Sequence, residues 1–293
     1  MNCSALSALE TLARSLALGA RLELHLTPKP GLVDLADCGS HPDLSVDTME
    51  RSIHYLSDYL DQTVASLAAG HSFAHQRAIG VHAEQRLLGD LGTNTHKGFI
   101  FLSGMLLIAR WHAVSADEHA IRSALSTLSA EFFRTADEQV THGCLARKKY
   151  QAGGIIVESI NGFPSVFEEG LPVFRQALQQ HGCCQVASFA LLARLMQIVD
   201  DTTTLHRAGA VGLARVKRDG LALEQIVADG GDHLAFLREL NRSYVQAKIT
   251  IGGVADMLGI AYGILLASGE ISPGDDAAFD VVLDNGAQSA LIV

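Results

Sequence analysis

The sequence predicts an all-α fold: a single multi-helix globular domain over residues 1–293 with a long ordered Gly-rich loop. Three observations point there. Apolar residues recur at three- and four-residue intervals, the period of a helix face. Alanine and leucine outweigh valine and isoleucine, which favours helix. No alternating strand pattern recurs, and no internal repeat or linker-like break interrupts the chain. At 293 residues and 48% hydrophobic content, the chain can bury a large core.

The elements follow in order. Leu6, Leu9, Leu12, Leu16 and Leu24 define a first helix that runs into the Thr27-Pro28 break. Ser45 is an N-cap candidate for a helix carrying Met49, Ile53, Leu56, Leu60, Val64 and Leu67 on one stripe. His71 and His75 have the i, i+4 spacing of a zinc pair, but no third ligand accompanies them, so a solvated helix face is expected. A helix over 97–113 is followed by a capping box, Ser115 and Glu118, ahead of Ile121, Leu125, Leu128 and Phe132. Segment 143–170 carries Gly143, Gly153, Gly154, Gly162 and Pro164 beside Arg147, Lys148 and Lys149. It reads as the long loop, ordered around Ile155-Ile156-Val157. Further helices are expected around 171–181, 186–201, 231–247 and 253–268.

The formal net charge of −10 argues against a protein that coats nucleic acid. It leaves room for a nucleotide in one pocket, where a few cations and a metal reverse the local field. The five cysteines are odd in number and contain no CxxC pair, which suits reduced thiols in the cytoplasm. No basic region followed by an apolar run opens the chain, so no signal peptide is expected. Residues 249–267 could span a bilayer by length. Asp256 lies mid-segment, though, at a cost of about 2.5–3.5 kcal/mol, so a buried core helix is expected and no membrane partner.

Three polar runs carry the chemistry. In Pro28-Lys29-Pro30-Gly31, prolines fix the backbone around a lysine suited to phosphate, and Gly31 permits close approach. Asp34 and Asp43 follow as carboxylates for a metal or for catalysis; a solvated surface turn is the plainer alternative. In Asn94-Thr95-His96-Lys97, a cation opens an apolar helix, an unfavourable place unless an anion binds there. An ordinary N-cap explains the Thr and Asn but not the His and Lys. In Asp200-Asp201, adjacent carboxylates close an apolar helix, where they oppose its dipole unless a cation such as Mg²⁺ is held; a terminus paired with Arg207 is the alternative. There is no Walker A sequence, and no GxGxxG or GxSxG.

Together the runs resemble the triphosphoribosyl-dephospho-coenzyme A synthase family. The matching motifs, in order, are Pro28 to Asp34, Gly39-Ser40-His41-Pro42-Asp43, Asn94 to Gly98, and Glu158 with Gly162-Phe163-Pro164. Asp200 to Thr202 with Arg207, and Gly252-Gly253 with Ala255-Asp256, complete the series. The resemblance implies an all-helical transferase that joins ATP to 3′-dephospho-coenzyme A, releases adenine and uses Mg²⁺. Its product would pass to a carrier-protein transferase as a prosthetic-group precursor. Leu24-His25-Leu26 leans toward malonate decarboxylase rather than citrate lyase; a homodimer is left open. The roles implied are Asp34 or Asp43 as the catalytic carboxylate, and His41 and His96 as proton donors to the departing base or as structural groups. Glu23, Lys29, Asn94, Thr95, Lys97, Glu158 and Arg207 would contact substrate and phosphates, with Asp200 and Asp201 on the metal. Three positions depart from the pattern: Ile156 where an arginine is usual, Thr203, and Thr250-Ile251. Two rival readings are a nucleotide or ADP-ribosyl hydrolase and a non-catalytic nucleotide- or carrier-binding paralogue.

Overall fold

The computed structural model describes residues 3–93, 95–135 and 142–272. Among these residues there are twelve α-helices, one π-helical turn and no strand. The order is α1 (Cys3–His25), α2 (Val46–Ala68), α3 (Phe73–Leu91), α4 (Lys97–His112), α5 (Glu118–Thr135) and α6 (His142–Tyr150). It continues through α7 (Gly154–Ile160), the π-turn (Ser165–Gly170), α8 (Leu171–His181), α9 (Cys184–Ile198), α10 (Thr202–Ala228), α11 (His233–Ala247) and α12 (Gly252–Ala267).

One continuous apolar core runs from α1 to α12. Leu9, Leu12 and Leu16 of α1 are buried, as the leucine periodicity requires. The α1 backbone meets α12 at Gly19, which has no room for a side chain against Gly259 and Gly263. In α2, Ser45 accepts from the Thr48 N–H at 3.2 Å, and Ile53, Leu56, Leu60, Val64 and Leu67 are buried. Residues 252–267 form the expected core helix, with Val254, Leu258, Ile260, Tyr262 and Leu265 fully enclosed. Among the described residues no helix is long and apolar enough to cross a membrane. His71 and His75 are exposed, their rings 4.4 Å apart.

Four expectations are corrected. The capping serine is displaced by Asp117, which accepts from the Ala120 N–H at 2.9 Å, while Ser115 donates to Asp117. Segment 143–170 is ordered but is not a loop: its glycines punctuate α6, α7 and the π-turn rather than dissolving them. Helix α9 stops at Ile198, short of the expected 201. Helix α10 has no counterpart in the sequence reading; its Thr-rich start and its break at Gly209 (φ 68°, ψ −169°) hide the period.

Candidate active site

A cleft of about 1340 Å³ opens where the N-termini of α4, α10 and α12 converge. Lys97 and Gly98 open α4, Thr202 and Thr203 open α10, and Gly253 opens α12; all line the cleft. Helix N-termini carry unpaired N–H groups and a positive dipole end, so three of them make this place favour negative charge.

Two internal carboxylates occupy those ends. Asp201 is the N-cap of α10. Its Oδ1 accepts from Thr203 and Thr204 at 2.8 and 2.9 Å, and its Oδ2 accepts from Val254 of α12 at 3.1 Å. The pair Asp200-Asp201 therefore begins a helix, and the premise that it closes one is reversed. Asp201 sits where the dipole welcomes a carboxylate, and it ties two helix starts together. Burial pushes its proton affinity up, against the pull of those backbone amides.

Asp256, one turn into α12, lies across the start of α4, close enough that Gly98 has no room for a side chain. Burial, then the neighbouring carboxylates of Asp201 and Glu23, push its pKa well up; the Phe99 N–H pulls the other way. Glu158, which also lines the cleft, accepts from the Ser165 N–H and Oγ at 2.9 and 2.8 Å, and burial raises its pKa too. Lys97 pairs with Glu84 of α3 at 2.7 Å with its side chain 43% exposed, so an ion pair accounts for a lysine in a first helical turn. Arg147 of α6 and Ile156 of α7 also line the cleft. Asp200 keeps an exposed carboxylate, held by Lys217 at 2.8 Å.

The other expected residues lie behind or beside the cleft. Lys29 is wholly buried, its Nζ 2.9 Å from Glu23 Oε1 and also donating to the Glu23 carbonyl. Asp34 accepts from the N–H groups of Lys29, Ala36 and Asp37. His96 is buried, and its ring pairs through Nδ1 with Ser52, whose hydroxyl already donates to Met49. That leaves Nδ1–H as the donor and Nε2 as an acceptor without a partner among the described residues. Burial lowers the His96 pKa to about 4, so the neutral ring has no proton to give a leaving base near pH 7. Thr95 has a buried hydroxyl without a partner among the described residues. His41 bonds Thr250 Oγ1 at 2.7 Å, and Arg207 donates to the Ser40 carbonyl at 2.8 Å; together they clamp the 39–43 loop to α10 and to the connection between α11 and α12. Asp43 is exposed beside them. Asn94 lies outside the described residues.

The structure thus gathers Lys97, Glu158, Asp200 and Asp201 at the cleft and draws Glu23, Lys29 and Asp34 into a sealed knot beneath it. Residue choice from sequence missed Asp256 and Glu84 as cleft residues. The signal for Asp256 was present: a lone carboxylate in an apolar helix. Nothing in the spacing of Glu84 marks it.

The sequence has known relatives. The chain matches the CitG family, ATP:dephospho-CoA triphosphoribosyl transferase, over residues 9–273. It belongs to that family. It is 33% identical over 251 residues to a probable 2-(5″-triphosphoribosyl)-3′-dephosphocoenzyme-A synthase of Pseudomonas putida, covering 80% of this chain and 87% of the relative. The Klebsiella pneumoniae synthase of that name is 29% identical over 259 residues, covering 82% of this chain and 85% of the relative. A probable synthase of Photobacterium profundum is 30% identical over 275 residues, covering 86% and 85%. No solved structure matches the chain. The chain is accordingly a transferase, which removes the non-catalytic reading.

Proposed function

We propose that the cleft makes 2′-(5″-triphosphoribosyl)-3′-dephospho-coenzyme A from ATP and 3′-dephospho-coenzyme A, with adenine released. The observation that carries this is Asp256: a carboxylate that lies against the start of α4 and lines a cavity ringed by three helix N-termini. The 2′-hydroxyl attacks C1′ of the ATP ribose. The C1′–N9 bond breaks, a C1′–O2′ bond forms, the hydroxyl proton passes to Asp256, and adenine leaves with a proton from solvent. Positive charge develops on the sugar as the base departs, and the carboxylates around the cleft stabilise it. Asp34 and Asp43 are not needed for this step: one is spent on backbone amides, the other lies outside the cleft. Lys97 and Arg147 bind phosphates, Arg147 serving in place of the arginine absent at Ile156. Glu158 contacts a ribose hydroxyl.

Among the described residues the cleft is lined by three cations, Arg77, Lys97 and Arg147, and by seven carboxylates. A triphosphate enters such a field only with its own counter-ion, which supports Mg²⁺. Among the described residues no cluster of three or more His, Cys, Asp or Glu side chains is arranged to hold a metal. Mg²⁺ needs fewer, one or two carboxylates beside phosphate oxygens and water. Asp200 fits that demand. Asp201 does not, because both its oxygens are committed to helix amides. The bound ion would neutralise phosphate charge. The product serves an acyl carrier prosthetic group, of malonate decarboxylase on the Leu24-His25-Leu26 reading, in the cytoplasm.

Asp256→Asn tests the assignment. Turnover, followed by adenine release and by mass of the joined product, falls about 10²- to 10⁴-fold, the range of a lost general base. The melting temperature rises, because a buried carboxylate beside two others is removed. Parental turnover in this variant would exclude Asp256 as the base. Adenine release without consumption of 3′-dephospho-coenzyme A would make the enzyme a hydrolase.

A further inference from the structure

Four of the eleven phenylalanines, Phe73, Phe101, Phe132 and Phe133, gather in the lining of the cleft. Phe99, Phe163, Phe174 and Phe189 lie in the core with at most 1% exposure, whereas each of these four is only half-buried. They do not stack on one another. Phe132 and Phe133 meet edge to face at 89° with centroids 5.0 Å apart, and Phe101 leans against both at 55° and 48°. Phe73 closes the side, 6.0 Å from Phe132 at 79°. The result is a corner of ring faces and edges, with the Arg77 guanidinium 5.2 Å above Phe132. Exposed apolar surface held together in a concavity marks a ligand groove. Ring faces with a planar cation beside them recognise flat π-systems, by stacking and by cation–π attraction.

We infer that this corner is a purine-binding subsite: an adenine ring lies against Phe101, Phe132 and Phe133, its edge toward Arg77. The inference rests on the reading under Proposed function, which supplies the candidate pieces. Triphosphate and metal belong with Lys97, Arg147 and Asp200. Of the ribose, amide chain and base that remain, only the base is both flat and aromatic. The cleft, at about 1340 Å³, exceeds the roughly 300–1,000 Å³ of a pocket for one small ligand, so it has room for two substrates at once. Both carry adenine: in ATP it departs, in 3′-dephospho-coenzyme A it is retained.

Calorimetry on the full chain separates these sources. The variants are Phe133→Leu, the double variant Phe132→Leu/Phe133→Leu and Arg77→Gln, which change the surface while keeping apolar bulk or a polar head. The probes are ATP, 3′-dephospho-coenzyme A and inorganic triphosphate, each with Mg²⁺. The double variant is expected to bind one of the two nucleotides roughly tenfold to a hundredfold more weakly and inorganic triphosphate as the parent does. Whichever nucleotide weakens owns the subsite. Arg77→Gln and Phe133→Leu, each removing only part of the corner, should shift the same nucleotide by a smaller factor. Parental affinity for both nucleotides in all three variants overturns the proposal. So does an equal loss for inorganic triphosphate, which would make the effect one of charge or folding. If the parent binds a nucleotide through this corner yet joins no product, the reaction assignment fails and the subsite stands.

Discussion

Two lysine–glutamate pairs sit near the cleft with nearly the same geometry and opposite settings. Lys29 Nζ lies 2.9 Å from Glu23 and Lys97 Nζ lies 2.7 Å from Glu84, but the first lysine side chain is 0% exposed and the second 43%. Distance alone would rank them equal. Burial decides what each does. In the sealed knot, Glu23 and Asp34 have both been pushed up by burial, and Lys29 is the charge that holds them down. At the cleft, water screens the pair and Lys97 can exchange partners at small cost. A charged motif residue can therefore frame a site without touching a ligand.

The sharpest way to break this contrast is Lys29→Met. It leaves two buried carboxylates without their cation, a loss of about 3–5 kcal/mol. Adding Glu23→Gln should recover part of that, since the charge goes and the hydrogen-bonding capacity stays. Urea denaturation midpoints measure both. A Lys29→Met chain with parental stability but no triphosphate binding would make Lys29 a ligand and dissolve the distinction.

His96 extends the knot and gives it a pH signature. Its pKa falls from 6.5 toward about 4 on folding, because burial and the nearby Lys29 oppose its charge. Between those values the unfolded chain binds the extra proton, so stability drops as pH falls from about 6.5 to about 4. Above 6.5 the group contributes no slope. The full drop is on the order of 3 kcal/mol. His96→Gln should flatten that part of the curve relative to the parent. Superimposable stability–pH curves for the two proteins would mean that His96 charges freely in the fold.

Asp201 joins the two regions and should fall between them in effect. Asp201→Ala strips an N-cap and a bridge to α12, costing about 1–2 kcal/mol, with activity lost as the cleft rim loosens. Asp201→Asn keeps one carbonyl oxygen for the amides and should retain much of the stability. Thermal unfolding in circular dichroism ranks them. An Asn variant as stable as the parent that no longer needs Mg²⁺ for ATP binding would return Asp201 to the metal.

The fold was largely legible because its helices obey a simple period: α2, α8, α11 and α12 fall within a residue or two of where apolar spacing puts them. The misses have local causes. Glycine reads as a loop signal, yet Gly153, Gly154 and Gly162 are breaks between short helices, with positive φ at the last two. Gly209 hid α10 in the same way. The motifs located the right neighbourhood but not the division of labour within it. Whether Lys29 or Lys97 meets solvent depends on Glu23 and Glu84, and no spacing rule pairs those residues. Asp256 was legible as an anomaly, and its place emerges only once the start of α4 is seen to lie against it.

The smallest expected change in stability, and the one that best sharpens the contrast, is Lys97→Ala. Its ion pair with Glu84 is exposed, so the loss should be below about 1 kcal/mol. Removing a cation from the start of α4 even relieves a mismatch with the dipole, which trims the loss further. Affinity should move the other way. If Lys97 leaves Glu84 for a phosphate, one charge-assisted hydrogen bond disappears, worth about 1.5–3 kcal/mol, or roughly ten- to a hundredfold in ATP binding. Glu84→Gln isolates the exchange: it frees the lysine in advance, so ATP should bind more tightly than to the parent, with the gain cancelled in the Lys97→Ala/Glu84→Gln double variant. Parental ATP affinity in both single variants would show that Lys97 and Glu84 form a closed structural pair, as Lys29 and Glu23 do.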